Sequence, residues 1–217
     1  MDKGLKNKTR SAFKWNGINQ LAITFVKTGI GIILARLLLP EDFGLIGMIV
    51  VFTAVGDAFI DGGFQSALIQ KKDITEADKS SVFHLNIIIA LCCSLLLFAA
   101  APALSRVYDT DITLLTRVFS VYFLFNAFGL VQQGLIQREM EFKKQTLAQI
   151  SSQVIAGIVA IIMAYLDYGV WALVTFSLLR VFLSSLFYWL QSDWKPTLVF
   201  EKTAIKENWK YSSNLLG

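Results

Sequence analysis

The sequence predicts an all-α fold, a polytopic bundle of six transmembrane helices with a cytoplasmic N-terminus. Three observations carry that prediction. The first is composition: 55% of the 217 residues are hydrophobic and only 17% are charged, against roughly a quarter charged in average proteins. The second is run length. Six windows of twenty or more residues are apolar apart from isolated charges, and about 20 helical residues suffice to cross the hydrocarbon of a bilayer. The third is charge placement. Of the 20 Lys and Arg, fifteen lie before the first window, in alternate connections, or after the last window, against two (Arg36 and Arg106) on the opposite side. Such an excess of basic residues marks the cytoplasmic side and puts both ends of the chain there.

In chain order, residues 1–14 form a basic tail suited to an anionic inner leaflet. Span one, 15–38, enters at Trp15 and carries Lys27 near its middle, with Gly29 and Gly31 loosening the helix just after it. Pro40, Glu41 and Asp42 suit a helix start, where proline is tolerated and acids face the positive dipole end. Span two, 43–69, contains Asp57 and Asp61, four residues apart on one face. Gly62-Gly63 follows, a kink or a point of close packing. Folding the two spans back on each other sets Lys27 opposite residue 54, one turn from Asp57. A charge at mid-bilayer costs roughly 2.5–3.5 kcal/mol on insertion scales, so these groups pair, line a wet cavity, or both.

Thr75 and Asp78 have the spacing of a capping box ahead of span three, 81–104, which Pro102 is expected to close. Span four, 114–137, holds Arg117, Asn126, Gln132 and Gln133, and its amides prefer a bundle interior to lipid. Span five, 146–166, repeats small residues at strict four-residue spacing, Ser152, Ala156, Ala160 and Ala164, a stripe that lets another helix approach closely. Asp167-Tyr168-Gly169 is long enough only for a tight turn, making an antiparallel pair with span six, 169–191, which carries Arg180 near its centre. Residues 192–209 read as a cytoplasmic amphipathic linker. Residues 210–217 echo Lys14-Trp15-Asn16-Gly17 and read as the start of a seventh span, cut short.

Several function classes find no footing. The positive net charge is the topological signal and needs no nucleic acid to explain it. The adjacent Cys92 and Cys93 suit packing rather than a structural bridge, and with His84 the only histidine no metal or cofactor site is expected. There is no nucleophile–base constellation and no phosphate-cradling glycine loop, so the chain does not read as an enzyme.

Four segments in order carry a resemblance: Ala35-Arg36-Leu37-Leu38-Leu39-Pro40-Glu41-Asp42-Phe43-Gly44-Leu45; Asp61 to Gln70 with Lys72-Asp73-Ile74-Thr75; Gln137-Arg138-Glu139 with Phe142-Lys143-Lys144; and Tyr168 to Leu173. Together they resemble the bacterial O-antigen and exopolysaccharide flippases of the superfamily that also contains multidrug and toxin extrusion transporters. The resemblance runs along the whole chain and matches the family's N-terminal half. It implies one six-helix lobe of a two-lobed transporter in the bacterial cytoplasmic (inner) membrane, the second lobe lying outside this chain. It also implies a cargo, an isoprenoid-diphosphate-linked oligosaccharide moved to the outer leaflet by alternating access. Other glycan-assembly proteins and membrane lipids would be its partners.

A diphosphate needs basic groups near mid-depth facing water. Lys27 and Arg180 are the expected anion contacts, with Arg36 and Arg117 placed to receive the head group late. Open alternatives are a Lys27–Asp57 ion pair, snorkelling by Arg117, and either ion coupling or charge pairing for Asp57 and Asp61. Competing functions are an ion-coupled drug exporter, a membrane-embedded glycan polymerase or ligase, and a non-transporting scaffold.

Overall fold

The computed structural model describes residues 21–61, 68–69 and 74–197. The basic tail 1–14, Trp15, the Gly62-Gly63 pair, the linker beyond residue 197 and the seventh-span reading of 210–217 lie outside the described residues. Within them the chain is helical, and no strand occurs. Residues 21–37 form α1. It is followed by α2 (Pro40–Asp61), α3 (Glu76–Val107), α4 (Thr113–Phe119), α5 (Tyr122–Arg138), α6 (Phe142–Tyr165) and α7 (Val170–Gln191). Counting α4 and α5 together, five stretches among the described residues are long and apolar enough to cross a membrane. The fold is an all-α polytopic membrane bundle.

The packing is arranged for lipid. On α6 the buried positions are Thr146, Ala148, Ser152, Gln153, Ala156, Gly157, Ala160 and Ala164, all small but Gln153, while Val154, Ile155, Ile158 and Ile162 are exposed. On α3, Ala90 and Ala101 are fully buried and Leu96 is 70% exposed. Large apolar residues outside and small ones inside would be the wrong way round in water. In a bilayer the tails are as apolar as leucine, so helices associate through close van der Waals contact at small residues. Two glycines show how close. A Cβ on Gly129 of α5 would stand 2.9 Å from Ser185 Cα of α7, and one on Gly157 of α6 would collide with the tip of Ile30 of α1.

Three expectations are corrected. The first concerns the partner of α1. Its buried edge, Ile30, Leu34 and Leu38, lies on Ala160 and Ala164 of α6 and on Ala172 and Leu173 of α7. The Lys27–Asp57 pairing drawn from a simple hairpin is not formed, because Asp57 is instead engaged by α5, as set out below. The second concerns Pro102, which does not end its helix: α3 continues to Val107. Proline within a spanning helix is tolerated when neighbours secure the freed backbone, and here Leu97 and Ala101, which precede it, are packed inside the bundle. The third concerns span four, which is interrupted at Ser120-Val121. Ser120 Oγ donates to the Arg117 carbonyl at 2.7 Å, and Val121 N bonds back only three residues to Val118 O at 3.3 Å. A hydroxyl competing for a helix carbonyl, with one tightened turn, makes such a break.

The ends are tied locally. Thr75 caps α3: Asp78 N donates to Thr75 Oγ1 at 3.1 Å and Thr75 N to Asp78 Oδ2 at 3.0 Å, the reciprocal box. After α6, Asp167 at φ +58° and Gly169 at φ +53° reverse the chain, with Tyr168 N bonded to Met163 O at 3.1 Å. Beyond α7, residues 192–197 are non-helical and return to the start of α3. There Thr197 N donates to Ser80 Oγ at 3.0 Å and Trp194 Nε1 to Glu76 Oε2 at 2.7 Å. Arg138 Nη1 donates to Leu68 O at 2.7 Å, fixing α5 to the described turn that follows α2.

Candidate functional site

Where α1, α2, α5, α6 and α7 draw apart, a crevice enters the bundle. One part, about 420 Å³, is lined by Lys27, Thr53, Tyr122, Gln153, Ser177 and Arg180, and walled also by Ile23, Val50, Phe119 and Phe176. The second part, about 310 Å³, is lined by Asn126, Gln133, Gln149, Gln153, Ser184 and Tyr188, together with Tyr122 and Arg180. Ile23, Tyr122, Gln153 and Arg180 border both parts, so the two adjoin along these residues.

The lining follows from helical spacing. Arg180, Ser184 and Tyr188 are four apart on α7, and Ser177 stands one turn before them. Gln149 and Gln153 are four apart on α6; Tyr122 and Asn126 are four apart on α5, with Gln133 two turns on. Residues at these intervals share one face. Arg180 is ten residues into a helix of 22, so at about 1.5 Å per residue its Cα lies roughly 15 Å from either end. That is mid-bilayer.

The charges are arranged unequally. Asp57 of α2 is held by two side chains of α5: Tyr122 OH donates to Oδ2 at 3.0 Å, and Asn126 Nδ2 donates to Oδ1 at 2.8 Å. Arg180 is within electrostatic reach of that carboxylate. Both oxygens of Asp57 are thus occupied by neutral donors, and the acid does not itself line the crevice. Tyr122 is steadied by stacking on Phe119, ring centroids 5.7 Å apart. The hydroxyls of Thr53, Ser177 and Ser184 turn back to carbonyls of their own helices at 2.7–3.0 Å. The cations therefore face the space while the nearby acid is turned into the wall.

The structure brings Lys27 and Arg180 to one space, and does not bring Arg36 or Arg117 there. Arg36 is exposed near the end of α1. Arg117 is exposed on α4 with its guanidinium 5.0 Å from the ring of Phe98 on α3, a cation–π contact on the outer surface. Asp61 is half-buried at the end of α2. Ser152 lines the second part of the crevice, whereas Ala156, Ala160 and Ala164 are closed in by packing. His84 stands apart, its Nδ1 2.6 Å from the Ser80 carbonyl. Sequence reasoning missed Tyr122, Gln149, Gln153, Ser184 and Tyr188. The signal was present as polar residues recurring at four-residue intervals in apolar spans.

A family model described as polysaccharide biosynthesis protein matches residues 33–217. The chain belongs to this family. Among its relatives are the teichuronic acid biosynthesis protein TuaB of Bacillus subtilis (strain 168), 28% identical over 210 residues, covering 94% of this chain and 43% of the relative. The succinoglycan biosynthesis transport protein ExoT of Rhizobium meliloti (strain 1021) is 29% identical over 194 residues, 85% of this chain and 38% of its own length. The lipopolysaccharide biosynthesis protein WzxC of Escherichia coli (strain K12) is 25% identical over 220 residues, covering 96% and 43%. The chain spans less than half the length of these relatives. No solved structure matches it significantly. With its five apolar spans and these bacterial relatives, it is a multi-pass protein of the cytoplasmic membrane.

Proposed function

We propose that this polysaccharide biosynthesis protein supplies one lobe of a transporter for an isoprenoid-diphosphate-linked oligosaccharide. In this reading six spans form the lobe, both ends lie in the cytoplasm, and the cargo crosses to the outer leaflet by alternating access against a second lobe. The protein transports and does not catalyse. The observation that carries the reading is the convergence of Lys27 and Arg180 on one mid-depth space whose nearest acid, Asp57, is already satisfied by Tyr122 and Asn126. Two cations facing water deep in a membrane protein attract an anion, and the planar guanidinium suits phosphate oxygens. A cationic drug would call for an acid lining the space, and Asp57 is not among the lining residues. Asp57 is assigned to fastening α2 to α5 rather than to an ion-coupling step.

The test uses the intact gene product in cells whose own exporter has been deleted. Lys27→Gln and Arg180→Gln are each expected to abolish surface glycan, with protein levels in the membrane unchanged. Undiminished export by both variants would overturn the proposal.

A further inference from the structure

We infer that the second part of the crevice is a recognition site for an uncharged sugar, read by carboxamides next to the guanidinium that holds the phosphate. This rests on the transport reading above and specifies what the cargo carries beside its diphosphate.

The two parts differ in chemistry. The first contains Lys27 and Arg180. The second, away from Arg180, has no formal charge in its lining and gathers Asn126, Gln133, Gln149 and Gln153 with Ser184 and Tyr188. A carboxamide carries both donors and an acceptor, and so does a sugar hydroxyl, so the two sets pair in either sense. Gln149 already donates to the Tyr188 hydroxyl, which orients the pair. Asn126 has one amide hydrogen committed to Asp57 at 2.8 Å, which fixes the side chain and leaves its carbonyl oxygen for a ligand.

Gln153 carries the argument furthest. It is only 4% exposed, its Nε2 has no partner, and it borders both parts of the space. A buried amide without a partner is costly, and the cost is removed when a ligand or water bonds to it. At about 310 Å³ the space is at the small end of ligand sites, which fits one or two sugar rings rather than a long chain. Among the described residues, a uronic acid there would meet no cation except Arg180, which in this reading holds the diphosphate. The site therefore favours neutral sugars.

The experiment measures binding to the intact protein in nanodiscs, using native mass spectrometry with three probes. These are bare polyprenyl diphosphate, the same lipid bearing one neutral hexose, and the same lipid bearing one uronic acid. Two or three added neutral hydrogen bonds predict binding of the hexose lipid about tenfold tighter than the bare lipid, with no such gain for the uronate. Gln149→Leu and Gln133→Leu, both at half-buried positions, should bring the hexose-to-bare ratio to about one. Lys27→Gln should weaken all three probes and keep the ratio. A wild-type ratio near one, a preference for the uronate, or a ratio that survives both leucine substitutions would overturn the sugar site and leave the diphosphate reading standing. Failure of all three lipids to bind would overturn the diphosphate reading and the sugar site with it.

Discussion

Replacing Gly129 by alanine tests whether the crevice is held open by a seam that cannot yield. The added Cβ would stand 2.7 Å from Ser185 Oγ and 2.9 Å from both Ser185 Cα and Cβ. Rotating the hydroxyl removes the first conflict and leaves the other two, because backbone and Cβ have no rotamer to change. Bringing those atoms to even a tight contact of about 3.4 Å requires α5 and α7 to separate by roughly 0.5 Å, the scale of overpacking that costs about 1–3 kcal/mol in close-packed cores. That corresponds to a folding equilibrium constant lowered about 5- to 150-fold. Gly157→Ala provides the contrast, since the three atoms nearest its Cβ are the Cδ1, Cγ1 and Cγ2 of Ile30, side-chain atoms that a χ rotation can move, with no backbone atom among them. Unfolding in mixed micelles, followed by tryptophan fluorescence, should show a clear loss for Gly129→Ala and a smaller one for Gly157→Ala. Ile30→Ala should relieve the second loss and leave the first untouched. The reasoning fails if Gly129→Ala unfolds at the wild-type denaturant concentration.

Two further outcomes follow from the polar contacts. Asp57→Asn keeps an acceptor for Asn126 and a group that Tyr122 can bond, whereas Asp57→Leu strands both donors. With interhelical bonds in membranes averaging about 0.6 kcal/mol, the leucine variant should be less stable than the asparagine one by about 1 kcal/mol in the same unfolding assay; equal stability would show that the two bonds are not made. Ser80→Ala removes the acceptor of Thr197 N at 3.0 Å. One net hydrogen bond of about 0.5–1.5 kcal/mol predicts amide exchange at residue 197 faster by about 2- to 12-fold, read by deuterium uptake, and unchanged uptake would mean that the segment after α7 is not tied to α3.

What the sequence made legible, and what it hid, divide along one physical line. The helical class was legible because an apolar run has only one way to satisfy its backbone in lipid without forming a closed barrel. Helix α7 occupies Val170–Gln191 where the apolar window ran from 169 to 191. The reciprocal cap at Thr75 and Asp78 and the reversal at Asp167–Gly169 were legible because each is settled within a few residues. Partner choice was hidden. In water the exposed face of a helix is marked by polar residues, but on α3 and α6 large apolar residues lie outside and the buried positions are mostly small or polar, such as Ala90, Asn86, Ser152 and Gln153. That α1 lies on α6 and α7 depends on the fit of Ile30 against Gly157, a relation between positions 127 residues apart that no local pattern contains.

The same line runs through the site. Lys27, Arg117 and Arg180 are each a lone cation in an apolar window, the first and last near mid-span and Arg117 close to one end. Two face the crevice and one does not. Arg117 lies five residues before Tyr122, which at about 100° per residue turns it about 140° away from the face that Tyr122 gives to the crevice. The tightened turn at Ser120-Val121 separates them further, and the aromatic edge of α3 receives the guanidinium instead. Depth in the span and phase relative to the other polar residues therefore point the same way for these three cations. By phase, Gln149 with Gln153, and Arg180 with Ser184 and Tyr188, form polar faces inside otherwise apolar helices. A polar face deep in a membrane has to meet another polar face or water. In this lobe α5, α6 and α7 turn theirs toward one space, so the crevice is the consequence of three helical phases agreeing.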